Sequence, residues 1–127
     1  MEVVSFEIAK KLKEKGFSLP SGEVIGKYDS DGVYHSQLYV NFTETMDSEE
    51  IIAPTISQVL KWLREEKEIH ISADITGAGW INNIVIKVKP IKDGFYWYSK
   101  KHRETEFYNS YEEAIIEAIE YVLDNLI

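Results

Sequence analysis

Three stretches of the 127-residue chain bring together residue types that could do chemistry. The first is Asp29-x-Asp31-Gly32. Alternating carboxylates ahead of a glycine open the oxygen cage of a calcium loop, but that loop needs further oxygen ligands and a closing Glu. Val33, Tyr34 and His35 do not supply them, so the segment reads as a tight hairpin turn. The second is Gly77-Ala78-Gly79, where a GxG invites a dinucleotide loop. The third glycine of that motif is absent, and the next residues read as a strand instead of a helix. This too reads as a hairpin connection. The third is residues 84–103, where Lys87, Lys89, Lys100, Lys101 and Arg103 are interleaved with Tyr96 and Tyr98. Aromatic platforms beside cations are what single-stranded nucleic acid requires: stacking surfaces and phosphate partners.

Catalytic patterns are missing. His35, His70 and His102 lie far apart and lack the spacing of metal ligands. His70 falls on the polar side of its strand and is expected to face solvent. No G-x-S-x-G, H-E-x-x-H or phosphate-loop motif is present. The reading is therefore a non-enzymatic protein with no catalytic residue, no metal and no cofactor.

Composition narrows the class further. One domain spanning 1–127 is expected from the length, and 44% hydrophobic content excludes a disordered chain. The absence of cysteine removes disulfides and thiolate chemistry, and fits a reducing compartment. No apolar run reaches the ~20 residues that cross a bilayer. The start, MEVVSFEIAKKLKEKG, has a lysine-rich helix where an export signal would need an apolar core, so no export is expected. Cytoplasmic residence without membrane contact is the expectation. A formal charge of −8 disfavours sequence-blind binding to nucleic acid. That charge is sorted along the chain: 87–103 is basic, whereas 104–127 holds seven acids and no Lys or Arg.

The elements that position these residues are organised around 54–75. Pro54 suits a first helical position, or Thr55 and Gln58 form a capping box one residue later. Ile56, Val59, Leu60 and Leu63 then share one stripe. Trp62 sits on its flank, either closing the core edge or standing as a partly exposed interface anchor. After Glu68 the period becomes two, with Ile69, Ile71, Ala73 and Ile75 expected on a buried face. Ile84, Ile86 and Val88 repeat that alternation, which puts Lys87 and Lys89 on the outer face, with Tyr96, Tyr98 and Lys100 expected beside them. Asp93-Gly94 marks a turn before the Phe95–Tyr98 strand, and Glu104–Tyr108 could add a short fourth strand.

The ends are helical. Ser5 caps a helix over 5–15 that closes at Gly16 with Phe17 against Leu12. Ser110 and Glu113 form a capping box for the last helix. Tyr111, Ile115, Ala118, Ile119, Val122 and Leu126 share its apolar face, opposite an acidic stripe. Ile116, Leu123 and Ile127 widen that face, either as deeper core or as a self-association surface that would make a homodimer. Residues 18–50 are poorly readable: a turn at Pro20-Ser21-Gly22, a strand within Glu23–Tyr28, another within Val33–Phe42, and a loop or helical turn over Thr43–Glu50.

SFEIAKKLKEKGF near the start, APTISQVLKWLREEK followed by IHI, and YEEAIIEAIEYVLDNLI at the end resemble a family of small uncharacterised proteins of gut bacteria and of their phages and mobile elements. The resemblance implies kinship and cytoplasmic residence, and it offers no catalytic residue to carry over. The order helix, three strands, helix from Thr55 onward is also similar to double-stranded RNA-binding domains. There the last helix begins with phosphate-gripping lysines. Here Ser110-Tyr111-Glu112-Glu113 would repel phosphate.

Together these readings specify an α+β fold: an antiparallel β-meander of three to five strands with about three helices packed chiefly on one face. The function expected is that of a small acidic accessory or regulatory protein that binds another protein. Its candidate surface comprises Trp62, Lys87, Lys89, Tyr96, Tyr98, Lys100, Lys101, Arg103, Ile116 and Leu123. The alternative is a nucleic-acid-binding module using the 84–103 hairpin.

Overall fold

A computed structural model describes residues 3–36, 49–88, 96–100 and 107–127, with backbone alone at Ser21, Lys87, Val88 and 96–100. Among these residues, three α-helices and two antiparallel sheets of three strands make an α+β fold. The chain divides into two compact units, Met1–Val59 and Leu60–Ile127.

In the first unit Ser5 caps helix α1 (Phe6–Glu14), its hydroxyl accepting from the Ile8 amide at 3.3 Å. Ile8, Ala9 and Leu12 are its buried residues. The helix ends as the sequence predicts. Gly16 N–H donates to Lys13 O, Phe17 N–H donates to Leu12 O, and the Phe17 side chain is buried.

Strands β1 (Gly26–Tyr28) and β2 (Tyr34–Ser36) form a hairpin with Tyr28 opposite Tyr34. Its loop closes through Gly32 N–H to Asp29 O and Asp29 N–H to Val33 O, both 3.0 Å. Gly32 has φ +81°, and a Cβ there would stand 2.9 Å from the Phe6 ring. The turn therefore needs a residue that tolerates the left-handed region and yields space to α1. Strand β3 (Ile51–Ile52) joins the other side of β1, giving the order β2-β1-β3. Lys27 and Glu50 form a mostly buried ion pair across this edge. The Tyr28 hydroxyl donates to Val4 O at 2.6 Å, and its ring meets Phe6 and Tyr34. Burial, then the neighbouring Tyr34, pushes the Tyr28 phenol above its ordinary pKa.

Helix α2 (Ile56–Glu66) contains the division between the two units. Thr55, not Pro54, sets its start. Thr55 Oγ1 accepts from Gln58 N at 3.1 Å, while Gln58 Oε1 accepts from Thr55 N at 2.9 Å. Such a reciprocal cap contributes about 1 kcal/mol. Ile56, Val59 and Leu63 are buried, as the stripe predicts.

The second unit holds the β-meander. β4 (Ile69–Thr76) and β5 (Gly79–Val88) pair without a bulge, from Ile69 opposite Ile86 to Thr76 opposite Gly79. β6 (Tyr96–Lys100) completes the order β4-β5-β6. Gly77 and Ala78 form the two-residue hairpin connection expected for the GxG. The Thr76 hydroxyl braces it, donating to Gly79 O and accepting from Ala78 N. Helix α3 (Tyr111–Asn125) lies on β4 and β5. Ser110 Oγ accepts from Glu113 N at 3.1 Å, but the Glu113 carboxylate reaches back to Asn109 N, one residue before the cap. The buried face of α3 comprises Ala114, Ile115, Ala118, Ile119, Val122 and Leu123. It is rotated from the expected one: Ala114 and Leu123 join it, Leu126 is half-buried and Tyr111 is exposed.

The strand expected within Val33–Phe42 is seen at Tyr34–Ser36. Its remainder, the 43–48 part of the expected loop, the Asp93-Gly94 turn and residues 104–106 lie outside the described residues.

Candidate interaction surface

In an antiparallel pair, residues directly opposite share a face. Ile69, Ile71, Ala73 and Ile75 of β4 are opposite Ile86, Ile84, Asn82 and Trp80 of β5, making one continuous row. Ile69, Ile71 and Ile84 are in the core, and the row stays covered as far as Asn82, which is 3% exposed. Asn82 Nδ2 donates to Ala114 O at 3.1 Å, which fixes the first turn of α3 above this point. Asn82 Oδ1 is buried without a hydrogen-bond partner among the described residues.

Beyond Asn82 the helix has run out. Ile75 is 70% exposed, which corrects the expectation that it belongs to the buried face. Alternation tells which side of the sheet a residue occupies; the length of the covering helix decides whether that side is covered. Trp80, opposite Ile75, is half-buried and meets the Tyr111 ring edge-on at 5.7 Å between centroids. Tyr111 is 41% and Phe107 50% exposed.

Gly79 allows this end to be built. Its φ is +138°, and a Cβ would lie 3.0 Å from Tyr108 O and 3.2 Å from the Phe107 Cβ. With no side chain there, Trp80 and Tyr108 exchange two backbone bonds of 2.9 and 2.8 Å, holding Phe107 at the hairpin end. The fourth strand expected over Glu104–Tyr108 is represented among the described residues by this single bridge. Ile75, Trp80 and Tyr111 thus give one end of the unit an apolar, largely aromatic surface, while Phe107, one residue out of step with the Trp80–Tyr108 bridge, has the parity of the other side of the sheet. Opposite α3, Asn83 Nδ2 donates to Asp74 Oδ2 at 2.7 Å.

The residues expected to form the surface are distributed differently. Leu123 is 2% exposed and belongs to the core, so it leaves the candidate surface; Ile116 is half-buried. Trp62 is half-buried, with the Lys67 ammonium 5.4 Å from its ring centroid. Lys89, Lys101 and Arg103 lie outside the described residues. Lys87 is opposite Trp97, whereas Tyr96, Tyr98 and Lys100 are opposite Val88, Ile86 and Ile84. The row through Lys87 therefore continues through Trp97 and not through the two tyrosines and Lys100, which corrects the expected grouping. A β-ladder places directly opposite partners together, and this register has the other parity.

The Asp29 turn also resolves. Asp29 Oδ1 accepts from the Asp31 and Val33 amides, and Oδ2 pairs with His35 Nε2 at 3.0 Å. The carboxylate is thus engaged in closing the hairpin. The His35 bond first, then the Val33 amide, holds its pKa below the ordinary carboxylate value. A carboxyl depressed in the folded state adds stability above its unfolded pKa of about 4, and that stability is lost as pH falls through the folded value. In a carbon-detected titration of the Asp29 carboxyl, the midpoint should lie below that of an ordinary Asp. His35→Ala should raise it, and an unchanged midpoint would remove the role assigned to His35.

No protein-family model, curated protein or solved structure matches the chain. No helix among the described residues is long and apolar enough to cross a membrane.

Proposed function

We propose that this protein is a non-enzymatic accessory module that docks another protein through the Ile75–Trp80–Tyr111 end of its second unit. The observation that supports this most is Ile75, a β-branched residue left 70% exposed in the same row as Ile69, Ile71 and Ile84. A large apolar side chain clustered with the half-buried Trp80 and the exposed Tyr111 has the make-up of an interface centre, where such residues exclude water on association. The edge-on contact between the Trp80 and Tyr111 rings holds the aromatics in place beforehand, which lowers the ordering cost of binding. The absence of cysteine suits action in a reducing cytoplasm.

The test is capture by the tagged full-length chain in its own cells, compared with Ile75→Ser. Ile75 makes little core contact, so the variant should keep the parent's thermal midpoint. A protein recovered with the parent and lost with Ile75→Ser is the expected result. Identical recovery by both would overturn the assignment.

A further inference from the structure

We infer that the occupant of this surface is an extended, cationic segment of the partner, added as a strand to the open edge of β4. The inference rests on the docking reading above and names the partner's chemistry. Among the described residues β4 is the edge of its sheet, and it runs eight residues in unbroken register. Edges are ordinarily guarded by lysine, proline or a bulge, and β4 has none of the three. An edge strand offers a row of backbone donors and acceptors, so an incoming strand gains main-chain bonds and places alternate side chains on the Ile75 face.

Charge selects the occupant. From Ile69 to Ile86 and from Phe107 to Ile127 the sequence has no Lys or Arg. The same stretches carry Asp74 on β4 and Glu112, Glu113, Glu117, Glu120 and Asp124 on α3. Asp74, Glu112 and Glu113 are exposed and are sequence neighbours of the exposed Ile75 and Tyr111. An acidic surround rejects an acidic strand by like-charge contact and attracts a basic one. The same argument disfavours a second copy of this chain pairing β4 to β4, which would bring two Asp74 edges and two acidic helices together.

The probe is a labelled seven-residue peptide alternating Lys and Val, titrated against the full chain by fluorescence anisotropy. Its companions are the matching Glu/Val peptide and a Lys/Val peptide N-methylated at alternate amides. Binding of the unmodified Lys/Val peptide should be about tenfold or more tighter than that of either companion. It should weaken by a similar factor, about tenfold, in Ile75→Ser and by less in Glu112→Gln. Glu65→Gln, on the exposed side of α2, should leave it unchanged. Equal binding of the N-methylated peptide, or no loss in Ile75→Ser, would reduce the effect to unspecific charge attraction and overturn the inference. Sedimentation showing self-association that Ile75→Ser abolishes would assign the edge to a second copy instead. If the peptides fail while Ile75→Ser still loses a captured protein, the docking surface stands and the strand-addition inference falls.

Discussion

Asn82→Asp is expected to lower stability by about 3 kcal/mol or more at neutral pH, the cost of a buried carboxylate without a donor. Asn82 is 3% exposed and its Nδ2 donates to Ala114 O. In the variant two acceptors face each other, and the other side-chain oxygen already has no hydrogen-bond partner among the described residues. Burial should push the new carboxyl above its unfolded pKa of about 4. For an acid raised in the folded state the penalty grows as pH rises past the unfolded value. It shrinks in acid, where the protonated group can donate to Ala114 O again. Urea unfolding of parent and variant at matched pH should therefore show a gap that narrows toward pH 4. Asn82→Leu, which removes donor and acceptor together, should stay within about 1.5 kcal/mol of the parent. A gap for Asn82→Asp that does not change with pH would mean that the site is wet.

The second large effect is a contrast within one row of the sheet. Ile84→Ala should cost about 2–5 kcal/mol, since it removes a fully buried side chain beneath α3 and leaves a cavity. Ile75→Ala should change stability by no more than about 0.5 kcal/mol, as exposed sites do. Equal costs for the two would place Ile75 in the core and remove the docking surface.

This contrast also shows what the sequence could and could not reveal. Caps were legible because their chemistry is local: Ser5, Thr55 with Gln58, and Ser110 each satisfy backbone groups within four residues. The β4 row was legible as a row, but its uncovered end depends on where α3 begins, and that is fixed by the Asn82–Ala114 bond more than thirty residues away. A signal for Asn82 existed. It has the parity of Ile84 and Ile86, so a polar residue in a buried row was marked for a partner. The grouping of Lys87 with the tyrosines failed because the register of β5 against β6 decides parity, and alternation within either strand does not. The β1–β2 hairpin was legible, its two strands and the Asp29–Gly32 turn lying within the stretches expected for them. Strand β3 escaped because it is two residues long and joins β1 from far along the sequence, so no local pattern announces it.

Gln58 has a consequence for motion. Its Oε1 caps α2 through Thr55 N, and its Nε2 simultaneously donates to Glu23 O at 2.7 Å. Val4 N–H bonds Pro54 O beside the cap, and Val4 O receives the Tyr28 hydroxyl. A helix end ordinarily frays first and alone. Here, loosening the first turn of α2 also releases a hold on the Ser21–Glu23 turn, and the adjoining Val4 bond links that end to the β1 tyrosine. These three places should thus open to solvent as one cooperative unit, with amide exchange rates that rise and fall together.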